Sequence, residues 1–161
     1  MKIEDLIQEL QETQHYKTFK QKHSDTFFAA AFLILNLENK SEQIQLDYFL
    51  PKQNQIAAFE FPFPEPKIHD DIISIQKGKT TPAKPTPMQP QTTKIKIDID
   101  DLELKCKELI KENNSSINPT KIIAILKDNT WNLTCMDNIL GIVRIKINAI
   151  SKELQDFNKG G

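Results

Sequence analysis

Residues 130–150 place the tightest constraint on what this chain can fold into. Trp131, Leu133 and Cys135 alternate with Asn132 and Thr134, a turn follows at Asp137-Asn138, and Val143, Ile145, Ile147 and Ala149 then alternate with Arg144, Lys146 and Asn148. A period of two on both arms predicts a β-hairpin with one buried face. Such a hairpin is not stable alone and needs further strands or a helix to cover its apolar side.

The rest of the chain supplies both. Ile3, Leu6, Ile7 and Leu10 recur at the spacing of one helix stripe, predicting an amphipathic helix to about Gln14. Tyr16 and Phe19 are anchors in a basic stretch read as helix continuation or loop. Residues 27–37 are nearly all apolar, as in an inner strand covered on both faces or packed on the helix. Residues 43–50 alternate as a half-buried strand. A third strand is expected over residues 56–63, with Phe59, Phe61 and Phe63 on one face. Pro62 and Pro64 cannot donate ladder hydrogen bonds, so that strand lies at an edge or ends there. Ile68, Ile72, Ile73 and Ile75 close the first half.

Residues 76–91 hold Pro82, Pro85, Pro87 and Pro90 among Lys, Thr and Gln, the composition of an extended linker. Beyond it, residues 94–98 suit a short strand. Asp100 with Glu103 resembles an N-cap box, and Ile99, Leu102, Cys106, Leu109 and Ile110 form a helix stripe to about Asn113. Residues 122–126 read as a buried strand leading into the hairpin. Leu154 and Phe157 make a short final stripe, and residues 158–161 a frayed tail.

Both halves thus read helix, strand, strand, strand. Residues 54–63 run against 138–147, matching Phe59, Phe61 and Phe63 to Val143, Ile145 and Ile147 as core positions. The expected fold class is α+β: tandem helix-plus-antiparallel-sheet units, αβββ, at residues 1–75 and 92–161, joined by the linker at 76–91.

Trp131-Asn132-Leu133-Thr134-Cys135, a turn, and Val143-Arg144-Ile145-Lys146-Ile147-Asn148-Ala149 resemble the PepSY-like domain family. There a Trp-led strand precedes a strand ending near Asp-Ala and a Gly-containing turn. Here Asn148 stands where Asp is usual, and Ser151-Lys152 replaces Thr-Gly. The resemblance covers residues 92–157 well and the first half only through the repeat. It implies a PepSY/cystatin-like α+β module with a binding or regulatory role, and carries over no catalytic residue.

The chemistry-bearing residues agree. A net charge of −1 provides no general attraction to nucleic acid or anionic membrane. No apolar run reaches the roughly 18 residues of a membrane span. The N-terminal residues enter an acidic amphipathic pattern without a signal-like apolar core, so a cytoplasmic location is expected. Cys106 and Cys135 are then expected to be free buried thiols that meet across the helix–sheet interface. His69-Asp70-Asp71 is too sparse for a metal site, and the four glycines form no phosphate loop. No catalytic residue, metal or cofactor is expected, and the protein is not expected to be an enzyme. Eight of the nine phenylalanines precede Lys67, more than a small sheet easily hides. Phe59, Phe61 and Phe63 are therefore candidate partner-binding residues, for another protein or a second copy, and Trp131 joins them because tryptophan is enriched at interfaces. The competing reading makes them core. Small-ligand binding or peptidase inhibition is the alternative function.

Overall fold

The computed structural model describes residues 1–69 and 87–160. The amphipathic start folds as α1 (Ile3–Gln11), whose Ile3, Leu6, Ile7 and Leu10 are buried. Thr13 caps α2 (Gln14–Lys22) by accepting from the Tyr16 N–H, so the basic stretch is a second helix with Tyr16 and Phe19 turned inward. Four strands follow: β1 (Phe27–Asn36), β2 (Ser41–Leu50), β3 (Gln55–Glu60) and the short β4 (Lys67–His69).

The second half opens with a 3₁₀ turn (Ile99–Asp101) that runs into α3 (Leu102–Glu112), and continues as β5 (Lys121–Lys127), β6 (Thr130–Met136), β7 (Ile142–Asn148) and β8 (Leu154–Lys159). The cap at its start is Asp98, two residues before the expected Asp100. Its Oδ1 accepts from the N–H groups of both Ile99 (2.9 Å) and Ile3 (2.8 Å), and Asp101 completes the box. One carboxylate therefore caps the first turns of two helices that lie far apart in sequence.

All eight strands form a single antiparallel sheet in the order β4-β3-β2-β1-β5-β6-β7-β8. The expectation of tandem αβββ units is corrected by this sheet. The molecule has one continuous eight-stranded sheet with three short helices on one face, and each half contributes four strands. The join is β1 against β5, from Ala30↔Lys127 to Asn36↔Lys121. Two separate three-stranded units would leave the backbone groups of these apolar strands unpaired along their free edges. Pairing them with each other satisfies those groups and removes two edges at once. The missed strand, β8, has only Leu154 and Phe157 as apolar members, three apart, which mimics a helix stripe. Asn158 and Lys159 of the tail expected to fray pair with β7 instead, and the Gly160 N–H donates to the Ile142 carbonyl (3.1 Å).

The helices' apolar stripes and the alternate strand residues beneath them form one cluster. β1 is also buried at its start on the opposite face, where Ala29, Ala30, Phe49, Ile56 and Met88 form a second, small cluster. Met88 belongs to the end of the expected linker. Residues 76–86 of that linker, and Ile72, Ile73 and Ile75 before it, lie outside the described residues. Residues 87–91 are packed: the Gln91 N–H donates to the Phe28 carbonyl (2.8 Å), and its side chain exchanges two 2.8 Å bonds with Asn129.

Candidate protein-binding surface

The four candidate residues separate sharply. Phe59 lies at the centre of the first half's core, with ring centroids 5.1 Å from Phe19, 5.5 Å from Tyr48 and 6.1 Å from Tyr16. Phe63 is buried at a positive φ of 73°. Trp131 is fully buried, and its indole N–H donates to the Ile97 carbonyl at 2.7 Å, the partner a buried indole requires. None of these three can touch a partner in the folded protein. Phe61 alone is exposed, at 40%. The strand ends at Glu60: the Phe61 N–H still donates to the Ile44 carbonyl of β2 (2.9 Å), but the Phe63 N–H turns back to the Glu60 carbonyl (2.6 Å) in a turn that contains Pro62. The period of two is lost there and Phe61 turns out instead of in. With Phe32, Gln43, Gln45 and Glu60 it lines a hollow of about 300 Å³ at the rim of the helix-free sheet face.

That face is set by the pleat: where Leu33, Leu46, Ile122 and Leu133 point to the helices, their sequence neighbours point away. Across its middle run Phe32 and Ile34 on β1, directly opposite Ile125 and Ile123 on β5. All four are partly accessible, and Ile125 reaches 36%. Polar residues flank them: Gln43, Gln45 and Glu60 towards β3, and Asn132, Thr134, Arg144 and Lys146 towards β7. Asp47 sits on the same face between Ala30 and Ala58. Burial pushes its carboxyl above the ordinary range, opposed by the Gln45 amide at 2.8 Å and by the charge of His69. Of the sparse triplet His69-Asp70-Asp71, only His69 lies within the described residues.

A second surface was not anticipated. The β6–β7 turn presents Ile139 and Leu140 at 85% and 95% exposure, the most exposed large apolar side chains among the described residues. The turn is rigidly built. Asp137 Oδ1 accepts from the N–H groups of Ile139 (2.8 Å) and Gly141 (2.7 Å), and the Asp137 N–H donates to the Gly141 carbonyl. Asn138 donates to Glu38 on the β1–β2 turn (2.8 Å) and accepts from Thr120. A Cβ at Gly141 would lie 2.5 Å from the Asp137 carboxylate that clamps the loop, so any side chain there would displace the clamp. Leu140 adopts φ 65°. The signal was present in the sequence: two bulky apolar residues between turn residues and Gly141 break the alternation of both arms. Matching residues 138–147 to 54–63 concealed it.

Cys106 of α3 and Cys135 of β6 do meet across the helix–sheet interface, but as a disulfide rather than as free thiols. Among the described residues no helix is long and apolar enough to cross a membrane. No protein-family model matches the chain, and no curated protein matches it. Among solved structures it is similar to a candidate lipoprotein of Clostridium difficile 630, with 10% identity over 90% of each chain and a TM-score of 0.46. A likeness that distant carries no functional conclusion.

Proposed function

We propose that this chain is a non-catalytic protein-binding module that inserts the Ile139-Leu140 tip into an apolar cleft of its partner. The observation that carries this reading is the tip itself. Two aliphatic side chains in water gain nothing for stability or solubility, and a leucine at φ 65° is strained where Gly or Asn would be relaxed. Costs of this kind concentrate where a surface has a job. The Asp137 clamp holds the tip in one shape before binding, which lowers the entropy lost on association. The PepSY-like resemblance of the second half points the same way, to binding rather than chemistry.

The experiment is affinity capture from source-cell lysate by wild-type protein and by the variant Ile139→Asp with Leu140→Gly, read by mass spectrometry. The reading expects a stoichiometric partner on the wild type that the variant loses while its melting temperature is unchanged or higher. An identical set of captured proteins on both would overturn it. The paired cysteines favour an oxidising compartment over the reducing cytosol expected from the sequence. Counting free thiols in protein isolated from its source cells decides between them.

A further inference from the structure

The helix-free face has an internal order that the tip does not explain. Strand pairing lays out one row across seven strands: Glu60, Gln45, Phe32, Ile125, Asn132, Lys146 and Asp156. The row is apolar at its centre, amide on either side, then acidic at one end of the amide pair and basic at the other. The adjacent row repeats the centre, with Ile34 paired to Ile123, Gln43 on one side and Thr134 and Arg144 on the other. The midline between β1 and β5 therefore divides the face into halves of similar shape, with Glu60 on one side matched in position by Lys146 on the other.

We propose that this face is self-complementary, and that a second copy of this chain docks on it face to face about a two-fold axis lying along the strands, over the β1–β5 midline. Such an axis keeps each row in place and reverses it. Phe32 then lies over Ile125 of the second copy, Ile34 over Ile123, Gln45 over Asn132, and Glu60 over Lys146, with every contact made twice as an isologous interface requires. Two sheets packed this way stack about 10 Å apart at roughly −30°, so the central strands make the closest contact.

Charge selects this axis over its alternative. On the helix-free face, β5 and β7 carry Lys121, Lys127, Arg144 and Lys146, whereas β2 and β3 carry Asp47 and Glu60. An axis across the strands would lay β5 on β5 and β7 on β7, cation strand over cation strand; the axis along the strands lays Lys146 over Glu60 and sets Lys121 and Lys127 over the uncharged Asn36 and Ala30 of β1. Glu60 already has a cation 3.7 Å away, Lys67, but that pair is more than half exposed and holds the carboxylate weakly. Area is sufficient. Six strands at about 4.8 Å spacing, over three residue rows, offer on the order of 600 Å² of flat face per copy before side-chain relief, near the roughly 800 Å² per partner of a stable interface. Met88 closes the far end of the face over Ala30, Phe49 and Ile56, and among the described residues the Phe32 and Ile34 rows stay accessible.

The test is analytical ultracentrifugation of the full chain from about 1 to 100 µM, a span that brackets micromolar association, at low and physiological salt. The wild type is expected at twice its 18.5 kDa mass in the upper part of that range. Ile125→Asp is expected to be monomeric throughout, with an unchanged circular dichroism spectrum. Lys146→Glu is expected to weaken the dimer about tenfold or more, because like charges then face each other at two symmetric points. Adding Glu60→Lys to it is expected to restore the dimer, because the reversed pairs are again complementary. A monomer at 100 µM would overturn the proposal. So would a dimer indifferent to Ile125→Asp, or one that the double reversal fails to restore. The tip lies at the end of the sheet, outside this face, so loss of partner capture by the tip variant leaves the dimer untouched and the two readings fail separately.

Discussion

The two halves of the sheet share an order of elements and differ in how their helices are held down. In the first, rings do the work: Tyr16 and Phe19 of α2 interleave with Tyr48 of β2 and Phe59 of β3, at centroid distances of 5.1 to 6.3 Å, mostly edge to face. In the second, α3 is tied to β6 by the Cys106–Cys135 bridge, and the one fully buried ring, Trp131, is fastened through its indole to the chain that leads into the helix. One arrangement of helix over four antiparallel strands is thus reached with two different core chemistries. Topology asks only for an apolar stripe above an apolar sheet face. The particular side chains settle how tightly each pair of layers is joined.

The largest test of that comparison is truncation of each anchor. Phe59→Ala and Trp131→Ala should each cost about 3–5 kcal/mol, as fully buried aromatics do. Because β1 and β5 join the halves in one ladder, each variant should still unfold in a single transition. For Phe59→Ala, urea unfolding followed by Trp131 fluorescence, which reports the second half, and by far-ultraviolet circular dichroism, which reports both, should give coincident curves. Trp131→Ala lacks the one tryptophan and is followed instead by circular dichroism and by the fluorescence of Tyr16 and Tyr48, which reports the first half. Separate midpoints would mean that the halves are independent despite the shared sheet.

Cys135→Ala comes next and removes the tie unique to the second half. A bridge that closes a loop of 29 residues is worth about 2–4 kcal/mol, so this variant should melt well below the oxidised wild type and close to the reduced one. Denatured, unreduced wild type should show no titratable thiol.

Asp98→Ala tests what the halves hold in common, since this side chain accepts from the first turns of both α1 and the 3₁₀ turn before α3. Loss of the cap should cost about 1–2 kcal/mol. Asp98→Asn keeps an acceptor there and adds a pH signature. Burial first, and then the neighbouring Asp101 and Asp100, raise the Asp98 carboxyl, outweighing the two N–H donors. A folded-state value above the unfolded one means that the stability tied to this group is fully present below the ordinary carboxylate value of 3.8 and is lost as pH rises through the raised value. Wild type should therefore gain on Asp98→Asn as pH falls through that window, in denaturation midpoints measured side by side.

Tyr48→Phe is the smallest. Its hydroxyl is the one buried side-chain polar atom among the described residues without a well-formed hydrogen bond; its one polar neighbour is the Tyr16 hydroxyl, a weak contact that leaves it largely unsatisfied. Removing it should change stability by less than about 0.5 kcal/mol, or raise it, whereas the loss of a paired buried hydroxyl typically costs about 1 kcal/mol. The same melts read both outcomes.

Much of the local structure was legible in the residues. Ile3, Leu6, Ile7 and Leu10 specify α1; Trp131, Leu133 and Cys135 specify the buried face of β6; the core role of Trp131 and the meeting of the two cysteines follow from their phase. The candidate surface was less legible. Phe59, Phe61 and Phe63 share a strand phase in sequence, yet the chain turns back over residues 60–63, after a last bond from the Phe61 N–H to β2, and only Phe61 is left outside. Ile139 and Leu140 look like core by composition and become the most exposed apolar pair because their backbone belongs to a turn.

What the sequence determined by itself was which residues face inward within each helix and strand, because periods of 3.6 and 2 are properties of the local backbone. It also determined where prolines and turn residues stop those elements. Only the tertiary structure decided that β1 and β5 pair, and hence that there is one eight-stranded sheet rather than two smaller units. Backbone N–H and C=O groups on a strand edge are the same whatever the side chains, so the choice of neighbour is made by the whole fold, through the edges it leaves unpaired and the apolar faces it brings under the helices.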